Sequence, residues 1–458
     1  MISPSDRLCV ASLCASIAVL LIALWLIGGL SGAAAPDTAS YFVPLQDDNL
    51  WGEMRHPLYG LLATWLGGSA NEPGHVALIQ ALLHAAAALA LYAGARAGGI
   101  SSIGALCLGL AALFSQSSLY HLRLLLPESP AIAALILAFA GVLAAANSVS
   151  GYRLLLLPIA LATALAYLLR PSFLPAIFAV PALWYLLALR NAQARRVIRK
   201  ILLFCLIAAS FVIQSAYRWK TVGDFNIVSF GGYTMSPMAG FMLTPEIVAA
   251  LPDSVRPTAQ AILSAREAAE AAGRVARTPL NSVGERSFVS AAVGYFDIYA
   301  RSHDDFLWGE IVKLRAPGES WVAFNQRLWS FSLATIRAVP HRWAGWVVGA
   351  TSRLVGRMIV TNALMVVALS LLLIVGLMAF ARCTTLGACA ADLPAVCVIA
   401  LAWLASTGPL IVLVSIPATR YIDTAAVLLP AAPALLAAAI VQGWTQTRRM
   451  PGANVKPG

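Results

Sequence analysis

The sequence predicts an all-α polytopic membrane protein, with about ten transmembrane helices, a surface helix in the first outer loop and a large, mainly helical extracytoplasmic loop. Three observations carry that expectation. The 458 residues are 60% hydrophobic and 11% charged, where a soluble domain carries about a quarter charged residues. Mean hydropathy is +0.79. Apolar runs close to the roughly 20 residues needed to cross a bilayer recur along the chain. A water-soluble enzyme of this composition would expose a large apolar surface, and collagen-like, disordered and disulfide-framed classes fall away as well.

The apolar runs lie at 8–30, 75–95, 101–119, 129–147, 152–169, 172–189, 201–217, 361–381, 393–416 and 423–442. Residues 50–66 are apolar but shorter and flanked by charge, which suits a helix on the membrane surface. The chain therefore divides into a transmembrane block at 1–218 with a first outer loop at 31–74, an extracytoplasmic region at 219–357 and a second transmembrane block at 358–458. Arg7, the first run and Gly32-Ala33-Ala34-Ala35 have the outline of a signal peptide. The run of 23 residues is long for one, where 7–15 is usual, so we expect it to be retained.

Orientation follows from Lys and Arg in short loops. With the N-terminus inside, the inner face carries twelve basic residues, including Arg96, Arg195, Arg196, Arg199, Lys200 and Arg382, against two acids, Asp6 and Asp392. The other face carries four basic residues (Arg55, Arg123, Arg170, Arg420) and seven acids. Both termini are expected in the cytoplasm. The net charge of +11 then reads as a topology signal and not as an affinity for nucleic acid. The cysteines sit in apolar runs or flank a short turn, and residues 219–357 hold none, so no disulfide framework is expected.

The outer region reads in parts. Residues 225–241, rich in Gly, Ser and aromatics, suggest irregular or short extended backbone. Residues 244–276 have helical spacing interrupted by Pro252 and Pro257. Phe324, Leu328, Phe331 and Thr335 recur at three and four, predicting an amphipathic helix over 321–339. After Pro340 a second helix to Met358 combines Trp343 and Trp346 with Arg353 and Arg357, as at a membrane interface.

Ionisable groups are costly in a bilayer, so those kept at its edge are functional candidates. They gather on the outer face: Asp37, Asp47 and Asp48, then Arg55-His56-Pro57-Leu58-Tyr59, Glu128 after Pro127, Arg170 before Pro171, and Arg420-Tyr421. The apolar spans themselves are nearly free of charge, which favours surface chemistry over passage through the bilayer. No Gly-rich phosphate loop follows a span, so a cytoplasmic nucleotide-sugar donor is not expected. His56 and His121 lack metal-ligand spacing, and Glu128 also suits a helix start.

Asp37-x-x-x-Tyr41, then Arg55-x-Pro57-x-Tyr59, Pro127-Glu128-Ser129, Leu169-Arg170-Pro171, Ile336-Arg337-Ala338-Val339-Pro340 and Arg420-Tyr421 resemble, in this order, the bacterial branch of the GT-C superfamily of membrane glycosyltransferases. One departure is Leu58, where many members carry Gly. The resemblance implies transfer of a sugar from a polyprenyl-phosphate donor to an envelope acceptor, at an extracytoplasmic site of the bacterial inner membrane. It places the family's first-loop acid at Asp37, the expected base. Asp47 or Asp48 would replace it, or hold the acceptor or a divalent metal ion. A phosphate leaves well without a general acid, so one carboxylate suffices and inversion follows. Arg420, Arg170 and Arg55 are the expected phosphate ligands, since a guanidinium fork matches phosphate oxygens. Glu128 would position an Arg or the acceptor, and His56, Tyr59 and Tyr421 complete the expected binding set. The partners expected are the lipid-linked sugar, a glycolipid, polysaccharide or protein acceptor, and membrane lipid. The alternative is a transporter or flippase, for which ionisable groups near the midplane would be the sign.

Overall fold

The computed structural model describes residues 4–45, 50–147, 152–189, 197–276, 302–360, 362–380, 386–414 and 419–449. The chain is helical, and among the described residues extended pairing amounts to one bridge between Ala33 and Leu124. Helices satisfy backbone groups within each segment, as hydrocarbon surroundings require. Among the described residues, six helices are long and apolar enough to cross a membrane: Pro4–Leu26, Val76–Ala97, Glu128–Ala146, Pro171–Ala188, Arg199–Val222 and Ala388–Thr407. A further pair, Pro340–Val360 and Ala363–Ala379, passes jointly but bends by 64°, giving a seventh span if counted as one.

The first block contains α1 (Pro4–Leu26), α2 (Leu58–Trp65), α3 (Val76–Ala97), α4 (Ser102–Leu113), α5 (Gln116–His121), α6 (Glu128–Ala146), α7 (Tyr152–Leu169), α8 (Ala176–Ala188) and α9 (Val197–Val222). Helix α6 is its axis and is buried on nearly every side, as expected of a helix apolar all round. It packs on α3 at close range. A Cβ added at Gly94 would lie 2.3 Å from the Ala140 carbonyl oxygen, so the small residue sets the approach. At the first turn of α1, Asp6 pairs with Arg96 at 2.7 Å and accepts from the Ser102 hydroxyl at 2.7 Å. Asp392 accepts from the Ser101 amide at 2.8 Å. Beyond the other end of α1, Ala33 exchanges backbone hydrogen bonds with Arg123 and Leu125, which fastens the first loop to the entrance of α6.

Several elements differ from the sequence reading. The 101–119 run breaks at Phe114 and Ser115 into α4 and α5. The 393–416 run splits into Leu393–Thr407 and Pro409–Val414, because Pro409 cannot donate to the preceding turn. The last run begins with Thr419–Ala425 and resumes at Ala431–Arg449. Only residues 58–65 of the expected surface helix are helical. Tyr59, Gly60 and Ala63 are buried, while Leu61, Leu62 and Trp65 face outward. Leu58, the departure from the family pattern, stands at the first residue of α2 in ordinary helical backbone.

The region 219–357 has its own core, built around Tyr233, Phe241, Phe306, Trp321, Phe324 and Phe331. The expected irregular stretch 225–241 ends instead in helix α10 (Gly231–Met242). Packing outweighs composition there. Gly232 lets α10 lie so close to the Trp321–Ala338 helix that a Cβ would meet the Asn325 carbonyl oxygen at 2.1 Å, and Asn325 accepts from the Tyr233 amide at 3.1 Å. Buried Arg266 donates to the Gly240 and Leu243 carbonyls at the end of α10, capping orphan acceptors. Pro257 starts the Arg256–Ala271 helix instead of interrupting it, since the first turn needs no amide donor. The expected 321–339 helix is present as Trp321–Ala338, with Phe324, Leu328, Phe331 and Thr335 all buried. Val412, Ile422, Ala425 and Ala426 join this core, so packing crosses the boundary drawn at 357/358.

Candidate functional site

The first loop holds Asp37 through its backbone. Thr38, fully buried, accepts from the Ala35 amide at 2.7 Å and donates to the Leu125 carbonyl at 3.0 Å. The Ser40 hydroxyl donates to the Asp37 carbonyl at 2.6 Å. The Asp37 carboxylate makes no capping bond of its own. It meets Arg420 instead, with Oδ2 and Nη1 2.6 Å apart. These residues are 383 positions apart in sequence.

A second pair lies beside the first. Glu128, at the start of α6, and Arg170, at the end of α7, are 2.9 Å apart. Tyr421 joins the two pairs. The Arg170 guanidinium carbon lies 4.9 Å from its ring centroid and the Arg420 carbon 5.0 Å, and Arg420 donates to its hydroxyl at 3.1 Å. A third guanidinium, Arg55, covers the Tyr41 ring at 4.8 Å and the Phe230 ring at 4.9 Å, and donates to the Ser40 hydroxyl at 3.2 Å.

The two ion pairs differ in burial. The Asp37–Arg420 side chains are 25% and 37% exposed, the Glu128–Arg170 side chains 2% and 9%. A partly exposed pair is worth only about 0–1 kcal/mol, because solvent screens it. Breaking a buried pair leaves a charge without water or partner.

Beside Arg55, Arg170 and Tyr421 opens a cavity of about 310 Å³. Tyr41 and His56 line its polar side; Phe211, Ile227, Phe230, Trp329 and Leu410 supply apolar wall. The wall residues from 226 to 230 are held by Arg218 at the end of α9. Its guanidinium pairs with Asp224 at 3.1 Å and donates to the Asn226 and Trp51 carbonyls and the Ser229 hydroxyl. Arg218 is 1% exposed, and one knot thus fixes both the cavity wall and the segment leading to Arg55.

The structure brings Asp37, Arg55, Glu128, Arg170, Arg420 and Tyr421 into one cluster. Tyr59 stands behind it. Its ring meets Tyr41 edge-on at 5.4 Å and its hydroxyl accepts from Gln80 at 3.2 Å, so it supports Tyr41 and does not line the cavity. Asp47 and Asp48 lie outside the described residues. Among the described residues no three His, Cys, Asp or Glu side chains are grouped to hold a metal ion. Phe211, Ile227, Phe230, Trp329 and the Arg218 knot escaped the sequence reading. The aromatic, Gly-rich stretch 225–241 was the one signal pointing to part of them, and it has no period that names a wall.

His56 takes a hydrogen bond from the Leu58 amide on Nδ1 and lies 3.3 Å from Gln214 on Nε2. Burial, then Arg218, pushes its pKa down to about 4. The depressed folded value means that the unfolded chain binds the proton more readily. The stability this represents is complete above pH 6.5 and falls as pH drops toward 4, by about 3 kcal/mol. We expect a His56→Gln protein in detergent to show a shallower loss of melting temperature between those pH values than the native chain; equal slopes would contradict a neutral, buried His56.

Comparison with family models, with curated proteins and with solved structures yields no match for this chain.

Proposed function

We propose that this chain is an integral-membrane glycosyltransferase. It moves a sugar from a polyprenyl-phosphate donor to an envelope glycolipid, polysaccharide or protein, by inverting displacement with Asp37 as base. The observation that supports this most is the convergence on Tyr421. Two guanidinium groups from distant segments meet over one ring, and one of them, Arg420, holds a first-loop carboxylate, beside a cavity with a mainly apolar wall. Cation at one end and apolar wall along the side match a phosphate carrying a hydrocarbon chain.

In this reading the acceptor oxygen attacks the anomeric carbon, the bond from that carbon to the phosphate oxygen breaks, and the hydroxyl proton passes to Asp37. Arg170, Arg420 and Arg55 take up the charge of the departing phosphate. Glu128 acts through Arg170, keeping its fork in place. The topology of this reading has ten spans, both termini in the cytoplasm and the site on the outer face of a bacterial inner membrane. It draws on the asymmetry of Lys and Arg between the two faces.

The test is mass spectrometry of envelope glycolipids and glycans with and without the gene, paired with purified protein, a polyprenyl-phosphate-linked sugar and the envelope extract. Loss of one sugar substituent in the cell, and its restoration in vitro, is the expected result. Unchanged glycans together with solute uptake into vesicles would turn the reading toward a transporter.

A further inference from the structure

The expected base and an expected phosphate ligand are bonded to each other. Asp37 and Arg420 close on one another at 2.6 Å, and in that pairing neither is free for the chemistry assigned to it. Resting on the glycosyl-transfer reading above, we infer that the Asp37–Arg420 ion pair is a donor-released latch: the phosphate of the incoming lipid-linked sugar takes Arg420, and this frees the Asp37 carboxylate for the acceptor hydroxyl.

Three features support an exchange at this pair and not at its neighbour. Solvent reaches Asp37 and Arg420, whereas Glu128 and Arg170 are sealed. Water can compensate the first pair as it opens, but not the second. The backbone of Asp37 does not depend on Arg420 for its place, because Thr38 and Ser40 pin it to the loop entering α6 and to its own turn. The carboxylate therefore stays when the guanidinium leaves. Arg420 has a second anchor in Tyr421, through the ring and through its hydroxyl. A guanidinium fork held on that ring is already beside Arg170, which lines the cavity while paired with Glu128, so phosphate oxygens taken by Arg420 come next to a second guanidinium.

The latch imposes an order. Without donor the base is occupied; with donor it is exposed beside the anomeric carbon. No covalent step occurs in the exchange itself: one carboxylate–guanidinium pair opens and one phosphate–guanidinium pair forms.

Competition has a signature that plain charge repulsion lacks. The probe is farnesyl phosphate, titrated into the full-length protein in detergent. The native chain should bind it, and Asp37→Asn should bind it about twofold to fivefold more tightly, because Arg420 no longer has a competing partner. Asp37→Glu, which keeps the charge, should not gain. Arg420→Met should bind more weakly, and adding Asp37→Asn to it should bring no further gain. A gain that persists in the Arg420→Met background would mean simple repulsion and overturn the latch. Equal or weaker binding by Asp37→Asn, with normal binding by the native chain, would also overturn it while leaving the transferase reading intact. Failure of the native chain to bind farnesyl phosphate at all would remove both.

Discussion

Under the proposed sugar-transfer function, an Asp37→Asn protein should insert, fold and hold its donor while its transfer rate falls by about 10²–10⁴-fold, the usual contribution of a positioned general base. The side chains are nearly isosteric, and the loop's anchoring runs through Thr38, Ser40 and the 33–125 backbone pairing, none of which involves the carboxylate. Stability should therefore change little, since the pair lost is partly exposed. Melting temperature, donor binding and initial rate, measured on one preparation, separate these effects. Full activity of Asp37→Asn would move the base to Asp47 or Asp48. A large drop in melting temperature would make Asp37 a structural residue.

The second large effect lies away from the charges of the site. Replacing Arg218 by Met should destabilise the protein by about 3–5 kcal/mol, the usual result of removing one partner of a buried pair. Asp224 would keep its Ser229 and Asn226 donors but lose its cation, and the Asn226 and Trp51 carbonyls would lose a donor. The 226–230 wall and the approach to Arg55 would loosen together, so donor binding should fall with stability. The double variant Arg218→Met with Asp224→Leu should recover part of the stability, because no charge is then left unpaired. Thermal unfolding of the two single variants and the double measures the coupling; simple additivity would show that the knot is not a unit.

Sequence legibility followed the range of the forces. The Trp321–Ala338 helix was readable because Phe324, Leu328, Phe331 and Thr335 are buried at the spacing that foretells it. Helix α10 was not. Its Gly, Ser and Pro content argues against a helix, and only contact with Asn325 and Trp329, some 90 residues on, makes Gly231 and Gly232 useful. Pro257 misled for a local reason: the same residue that breaks a helix interior opens a first turn. The breaks at Phe114 and Gly408 lie inside runs that hydropathy alone joins.

The candidate site divides in the same way. Asp37, Arg55, Glu128, Arg170, Arg420 and Tyr421 were legible as a set, because charge beside an apolar run is conspicuous in a membrane sequence. Their pairing was not. Asp37 might have met Arg55 or Arg170 as well as Arg420, and the sequence holds no term that chooses among partners hundreds of residues apart. Tyr59 was read as a ligand; its ring lies edge-on against Tyr41, its hydroxyl on Gln80, and it is not among the cavity-lining residues. The apolar cavity wall was invisible, because Phe211, Ile227 and Phe230 are ordinary residues until the Arg218 knot folds their segments together.

By itself, the sequence determined that this is a helical protein with membrane-crossing segments, since hydropathy and periodicity act within one element and need no partner. It also determined which polar groups sit at the ends of those segments. Tertiary structure alone decided which carboxylate faces which guanidinium, which ion pair is sealed and which is open, and where a cavity lies. Those outcomes depend on distances and solvent access between elements, and both arise only when the chain packs.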